Sequence, residues 1–178
     1  MFSCTLTRTR PNDADAAGFV AFGEAERAKR HLIAELDELG FAVRSKVEDP
    51  ENGLAFDLLS SAQGAVQMGH DQGVITIDVS ESDPALRETV RVKLDEPYRT
   101  MLGHFRHEVG HYYEWQLVRG ELIEPCRELF GDESADYAEA IDRHYSEGPP
   151  EDWKKDYIST YATMHPFEDF AETFAHFL

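Results

Sequence analysis

The chain has 178 residues, 42% of them hydrophobic and 29% charged, and carries a net charge of −18 from 35 acidic and 17 basic side chains. That length and apolar content suffice for one domain with its own core. The excess of carboxylates repels phosphate backbones and anionic lipid surfaces, which argues against nucleic-acid and membrane partners.

The two cysteines, Cys4 and Cys126, form no C-x-x-C pair, so neither a disulfide scaffold nor a self-contained zinc ribbon is expected. Cys126 lies in an apolar-periodic stretch and reads as a small buried hydrophobe. No apolar run approaches the roughly 20 residues of a membrane span. The start, Met1-Phe2-Ser3-Cys4-Thr5, lacks the basic-then-apolar pattern of a signal peptide. The expectation is a cytoplasmic protein with one domain over residues 1–178.

In chain order, the first element is a helix over about 13–39, capped by Asn12 or Asp13. Its Phe22, Ala25, Ala28, Leu32, Leu36 and Leu39 recur at three- and four-residue steps and make one buried face. Gly40 ends it. The period then changes. Residues 41–43, 54–59, 65–68 and 74–79 are short β-type runs separated by turn residues, which predicts a small, mostly antiparallel sheet. Val74 to Val79 is the strongest strand. It is expected to offer Val74, Ile75, Thr76 and Ile77 as an edge to which an extended peptide adds. From Asp83-Pro84 onward the pattern is helical, over about 84–94, 97–118, 124–130, 134–145 and 166–178, with Gly148-Pro149-Pro150 as a break. Helix, sheet, then helices makes the fold class α+β.

The segment with chemistry is His104-Phe105-Arg106-His107-Glu108-Val109-Gly110-His111, which contains H-E-x-x-H at 107–111. Residues i and i+4 of a helix share a face, so two imidazoles there can reach one zinc ion, while the intervening Glu108 can act as base toward the attacking water. A hydrolytic zinc site needs a third protein ligand and one open position. Candidates lie on the helix that Pro166 starts. Glu168 is the assigned third ligand, with Asp169 and His176 as rivals. Glu172, one turn later, is placed to accept a hydrogen bond from a ligand imidazole. His104, three residues before His107, reads as a core or supporting histidine. Gly110 inside a helix costs roughly 1 kcal/mol against Ala, which makes sense where a neighbouring backbone must pass close.

An H-E-x-x-H helix followed by a helix bearing E-x-x-x-E resembles the gluzincin pattern. More closely, residues 6–11, 53–59, 103–113 and 161–172 resemble a bacterial family of zinc-binding metallopeptidases that often carries an N-terminal zinc ribbon. The resemblance covers essentially the whole chain. It implies a zincin-like fold, one zinc per chain held by His107, His111 and Glu168, and a peptide or protein substrate. The layout is also similar to proteases of the anthrax lethal factor type, with a tyrosine seven residues before the glutamate ligand. This points to Tyr161 as a donor to the oxyanion, with His165 as a second candidate and a structural tyrosine as the alternative. The ribbon cysteines are missing apart from Cys4, and chains of the family are expected to continue past Leu178.

The first expectation is therefore a zinc peptidase acting by water attack, with Glu108 as general base. The competing expectations are a zinc amidohydrolase or deacylase acting on a small amide, and a non-catalytic zinc-binding module. Oligomeric state and substrate are not legible.

Overall fold

The computed structural model describes residues 2–82 and 100–178. The helix expected over 84–94 and the beginning of the one expected from Pro97 lie outside these residues. Six α-helices and four strands are seen among the described residues: α1 (Phe2–Thr5), β1 (Thr7–Thr9), α2 (Ala16–Glu38), β2 (Ala55–Leu59), β3 (Gly69–Asp71), β4 (Val74–Asp78), α3 (Met101–Leu117), α4 (Ile123–Phe130), α5 (Tyr137–Glu147) and α6 (Pro166–Phe177). The class is α+β, as expected. Internal contacts divide the chain into two compact units, Met1–Glu108 and Val109–Leu178, and the division falls inside α3. None of the described helices is long and apolar enough to cross a membrane.

In the first unit α2 begins later than expected. Asp15 is the cap, its carboxylate accepting from the Gly18 amide at 2.7 Å, while Asn12 makes an Asx turn to Ala14 one step earlier. Gly40, at φ +79°, closes the helix. The buried face of α2 includes the expected Ala25, Leu32 and Leu36, but Leu39 is exposed. Lys29 is fully buried among these apolar side chains, where its ammonium bonds Thr7 Oγ1 and Glu26. Burial pulls the Lys29 pKa down, with Glu26 opposing.

The sheet order is β1-β2-β4-β3. The expectation of mostly antiparallel pairing is overturned. β1 and β2 pair in parallel, as do β2 and β4 from Ala55↔Val74 to Leu59↔Asp78. Among the described residues only β3 and β4 pair antiparallel. Those two form a tight hairpin across Gln72 (φ +44°) and Gly73 (φ +85°), both left-handed as a type I′ turn requires. The runs at 41–43 and 65–68 are not strands, and β1 and β3 were not foreseen. β4 is also not an edge: β2 lines one side of it and β3 covers Val74–Thr76 on the other, so among the described strands the edges are β1 and β3. The strongly β-forming residues of β4 place it inside the sheet, where packing is densest.

Phe56, Leu58, Ile75 and Ile77 are completely buried, whereas Asp57, Val74 and Thr76 on the opposite face are partly exposed. The start of α3 joins this core through Phe105, edge-on to Phe56 at 5.5 Å. It is also fastened to α2 by the Arg106–Glu35 ion pair. His104 Nδ1 stands 3.1 Å from the buried Glu81 carboxylate, consistent with a core histidine.

The second unit is built of helices around α6. Tyr113 of α3 stacks on Phe174 at 5.3 Å, and Phe130 of α4 packs on Phe170 at 5.2 Å. Gly110 lets the backbones of α3 and α6 approach closely: a Cβ there would lie 2.8 Å from Cα of Ala171 and 3.0 Å from its carbonyl oxygen. The glycine is therefore used for backbone proximity, as its place in a helix suggested.

Candidate metal centre

The helix from Met101 to Leu117 presents His107 and His111 one turn apart, with Glu108 directly after the first. His111 is buried and stacks on Phe167 of α6, ring centroids 4.2 Å apart and planes 15° from parallel. Glu168, on the first turn of α6, is also buried and directs Oε2 toward His111 Nε2 at 3.6 Å. One ligand atom from each of His107, His111 and Glu168 lies within 4.8 Å of the other two. Among the described residues this is the one such cluster of three or more, and the rivals Asp169 and His176 are not in it.

The donor set fits zinc. Two imidazoles and a carboxylate are what hydrolytic zinc sites take, with the fourth position left for water. Two ligands held at about 2.0–2.1 Å on a tetrahedral ion stand roughly 3.3 Å apart. The 3.6 Å between His111 Nε2 and Glu168 Oε2 is close to that spacing and too long for a hydrogen bond.

Three further side chains, Glu114, Tyr137 and Tyr161, lie close to this cluster. Glu114, one turn after His111 and buried, faces His111 Nδ1 with Oε2 at 4.0 Å. Burial raises the Glu114 pKa and the neighbouring imidazole opposes the rise. Ligating histidines commonly present their second nitrogen to a carboxylate. Glu114 was missed by the sequence reading, although its i+3 spacing from His111 was a usable signal. Tyr137, the first residue of α5, donates its hydroxyl to Glu168 Oε1 at 2.7 Å, and no sequence pattern marks it. Tyr161 lies on a short 3-10 turn over Tyr161–Thr163. Burial raises its pKa, and the nearby Glu168 carboxylate and a hydrogen bond with Tyr137 push the same way, so its phenol stays protonated.

His165 caps α6. Its Nδ1 accepts from the Phe167 amide at 3.1 Å, so Nε2 carries the proton and donates to the Ala135 carbonyl at 3.0 Å. Both ring nitrogens are thereby engaged. These two bonds tie the start of α6, the helix that carries Glu168, to the segment before α5.

Glu172 is half-buried one turn beyond Glu168. Asp169 is buried, which pushes its carboxyl up to about 6. A hydrogen bond from Thr173 opposes the rise and the Glu172 carboxylate adds to it. His176 is exposed and its Nδ1 bonds the Glu172 carbonyl at 2.8 Å. Cys126 is half-buried and unpaired with Cys4, and burial raises its thiol pKa.

Proteins of Mycobacterium tuberculosis and Mycobacterium bovis, both described as uncharacterized, are 55% identical to the chain over 178 residues. The match covers 99% of this chain and 52% of each relative, so the chain spans about half the length of the curated relatives it matches. No solved structure matches it. A sequence model for a family described as "Putative zinc-binding metallo-peptidase" matches residues 19–178, and the chain belongs to that family.

Proposed function

We propose that the chain is a zinc-dependent peptidase of the zincin type that binds one zinc ion through His107, His111 and Glu168 and cleaves peptide bonds with Glu108 as general base. The observation that carries this reading is the convergence of those three ligand atoms within 4.8 Å of one another. Membership of a zinc-binding metallo-peptidase family agrees with it.

When bound, zinc supplies Lewis acidity, making a water nucleophilic near neutral pH and polarising a carbonyl. The chain's own groups do the rest. Glu108 follows a ligand histidine on the same helix, so its carboxylate is available to take the proton of the attacking water and return it to the leaving amine. Tyr161 keeps its phenol protonated and is the donor to the developing oxyanion. Glu114 faces Nδ1 of His111, and Glu172 is placed to accept from a ligand imidazole, so each orients a ligand ring.

The test is Glu108→Gln in the full chain, assayed on a fluorescent casein and a peptide library beside a panel of small amides. Turnover of peptides should fall at least about a hundredfold while bound zinc stays at one per chain. Full activity in the variant refutes the assignment of Glu108. Activity confined to the small amides replaces peptidase with amidohydrolase.

A further inference from the structure

Glu168 has two carboxylate oxygens, and the structure gives them different neighbours. Oε1 accepts the Tyr137 hydroxyl at 2.7 Å, and Oε2 faces His111 Nε2 at 3.6 Å. Tyr137 is itself held in place. It opens α5 behind the Asp136 cap, which accepts from the Glu139 amide at 2.9 Å. Its ring meets the edge of His165 with centroids 5.2 Å apart. His165 in turn bonds the Ala135 carbonyl, two residues before Tyr137. The start of α5 is thus tied to the start of α6 by two hydrogen bonds. Tyr137 also shares a hydrogen bond with Tyr161. Its hydroxyl therefore links the Glu168 carboxylate to the Tyr161 phenol, both outside the H-E-x-x-H helix.

We infer that Tyr137 is a positioning residue for the metal ligand Glu168: its hydroxyl occupies Oε1, so that the carboxylate offers the metal a single oxygen, Oε2, already turned toward His111. This rests on Glu168 being a ligand. The physical reason is geometric. A carboxylate with both oxygens available can rotate or bind through both, and either choice draws the α6 backbone to a different distance. A fixed phenol removes that freedom before the metal arrives, so the ordering cost is not charged against binding.

Metal binding to the full chain tests it without reference to turnover. Zinc is titrated into the metal-free protein against a chromogenic chelator, and cobalt is titrated separately to read its visible absorption. Wild type, Tyr137→Phe, Glu168→Ala and the double variant are compared, with thermal midpoints of the metal-free forms. Tyr137→Phe should weaken zinc by about tenfold or more and alter the cobalt spectrum. In the Glu168→Ala background the same substitution should change the zinc Kd less than twofold, because the phenol acts through that carboxylate. A zinc Kd within twofold of wild type in Tyr137→Phe, with Glu168→Ala strongly weakened, overturns the positioning role and leaves the ligand assignment standing. Undiminished zinc binding in Glu168→Ala overturns the ligand assignment, and the inference with it. A lowered metal-free midpoint with unchanged Kd and spectrum assigns Tyr137 to structure alone and likewise overturns it.

Discussion

Gly110→Ala isolates the packing that sets the candidate centre. The added methyl would sit 2.8 Å from Cα of Ala171, 3.0 Å from its carbonyl oxygen and 3.3 Å from its Cβ. Non-bonded carbons rest about 3.5–4.0 Å apart, so α6 must withdraw by roughly 0.7–1.2 Å. The obstructing atoms are backbone and cannot rotate away. Overpacking of this kind costs about 1–3 kcal/mol. Alanine regains roughly 1 kcal/mol of helix propensity over glycine. The net is a loss of about 1 kcal/mol, or about 3 °C in thermal midpoint for a chain of this size. Metal binding should suffer more than stability. Glu168 lies three residues before Ala171 on the same helix, and metal–ligand distances tolerate only about 0.2 Å.

The assay is thermal unfolding of the metal-free protein by circular dichroism, followed by zinc titration. Gly23→Ala is the control: Gly23 lies on α2 with nothing within 4 Å of the added Cβ, so there the same substitution should stabilise by up to about 1 kcal/mol. A Gly110→Ala protein that melts at or above wild type and binds zinc unchanged would refute the argument that close backbone approach sets the ligand geometry.

His165→Ala removes the side-chain cap of α6 and the bond to Ala135, and should lower stability by about 1–2 kcal/mol. Chemical denaturation reads this, and an unchanged midpoint removes His165 from its structural role. Asp57 supplies a pH dependence. Burial works to raise its carboxyl, but hydrogen bonds from Arg8 and Thr9 outweigh this and leave the folded pKa below the ordinary 3.8. The unfolded state then binds the proton more readily. The Asp57 contribution is fully present above about pH 4 and is lost as pH falls through the folded value. Asp57→Asn should therefore melt below wild type at pH 6 by more than it does at pH 3, and an equal gap at both values contradicts the Arg8–Asp57 contribution.

The helices and the spacing of the candidate ligands were legible because their information is local. The α-helical period puts residues 107 and 111 on one face whatever surrounds them. Pro166 marked the start of α6, and Gly40 and Gly110 announced a helix end and a close crossing through conformational cost alone. The apolar run at 54–59 even carried a hint of a buried parallel strand that short turn-separated runs obscured. Strand direction, the interior position of β4 and the order of the sheet depend on how the connections between the strands fold back, and alternation within a strand is blind to that. The same holds for Lys29, buried on a helix whose pattern gave it no reason to be, and for Tyr137 and Glu168. Thirty-one residues separate that donor from its acceptor, and they meet because α5 and α6 are tied at their first turns. Spacing along one helix is set by the geometry of the backbone. Contacts between helices are set by packing of the whole, and there the carboxylate acquired its partner.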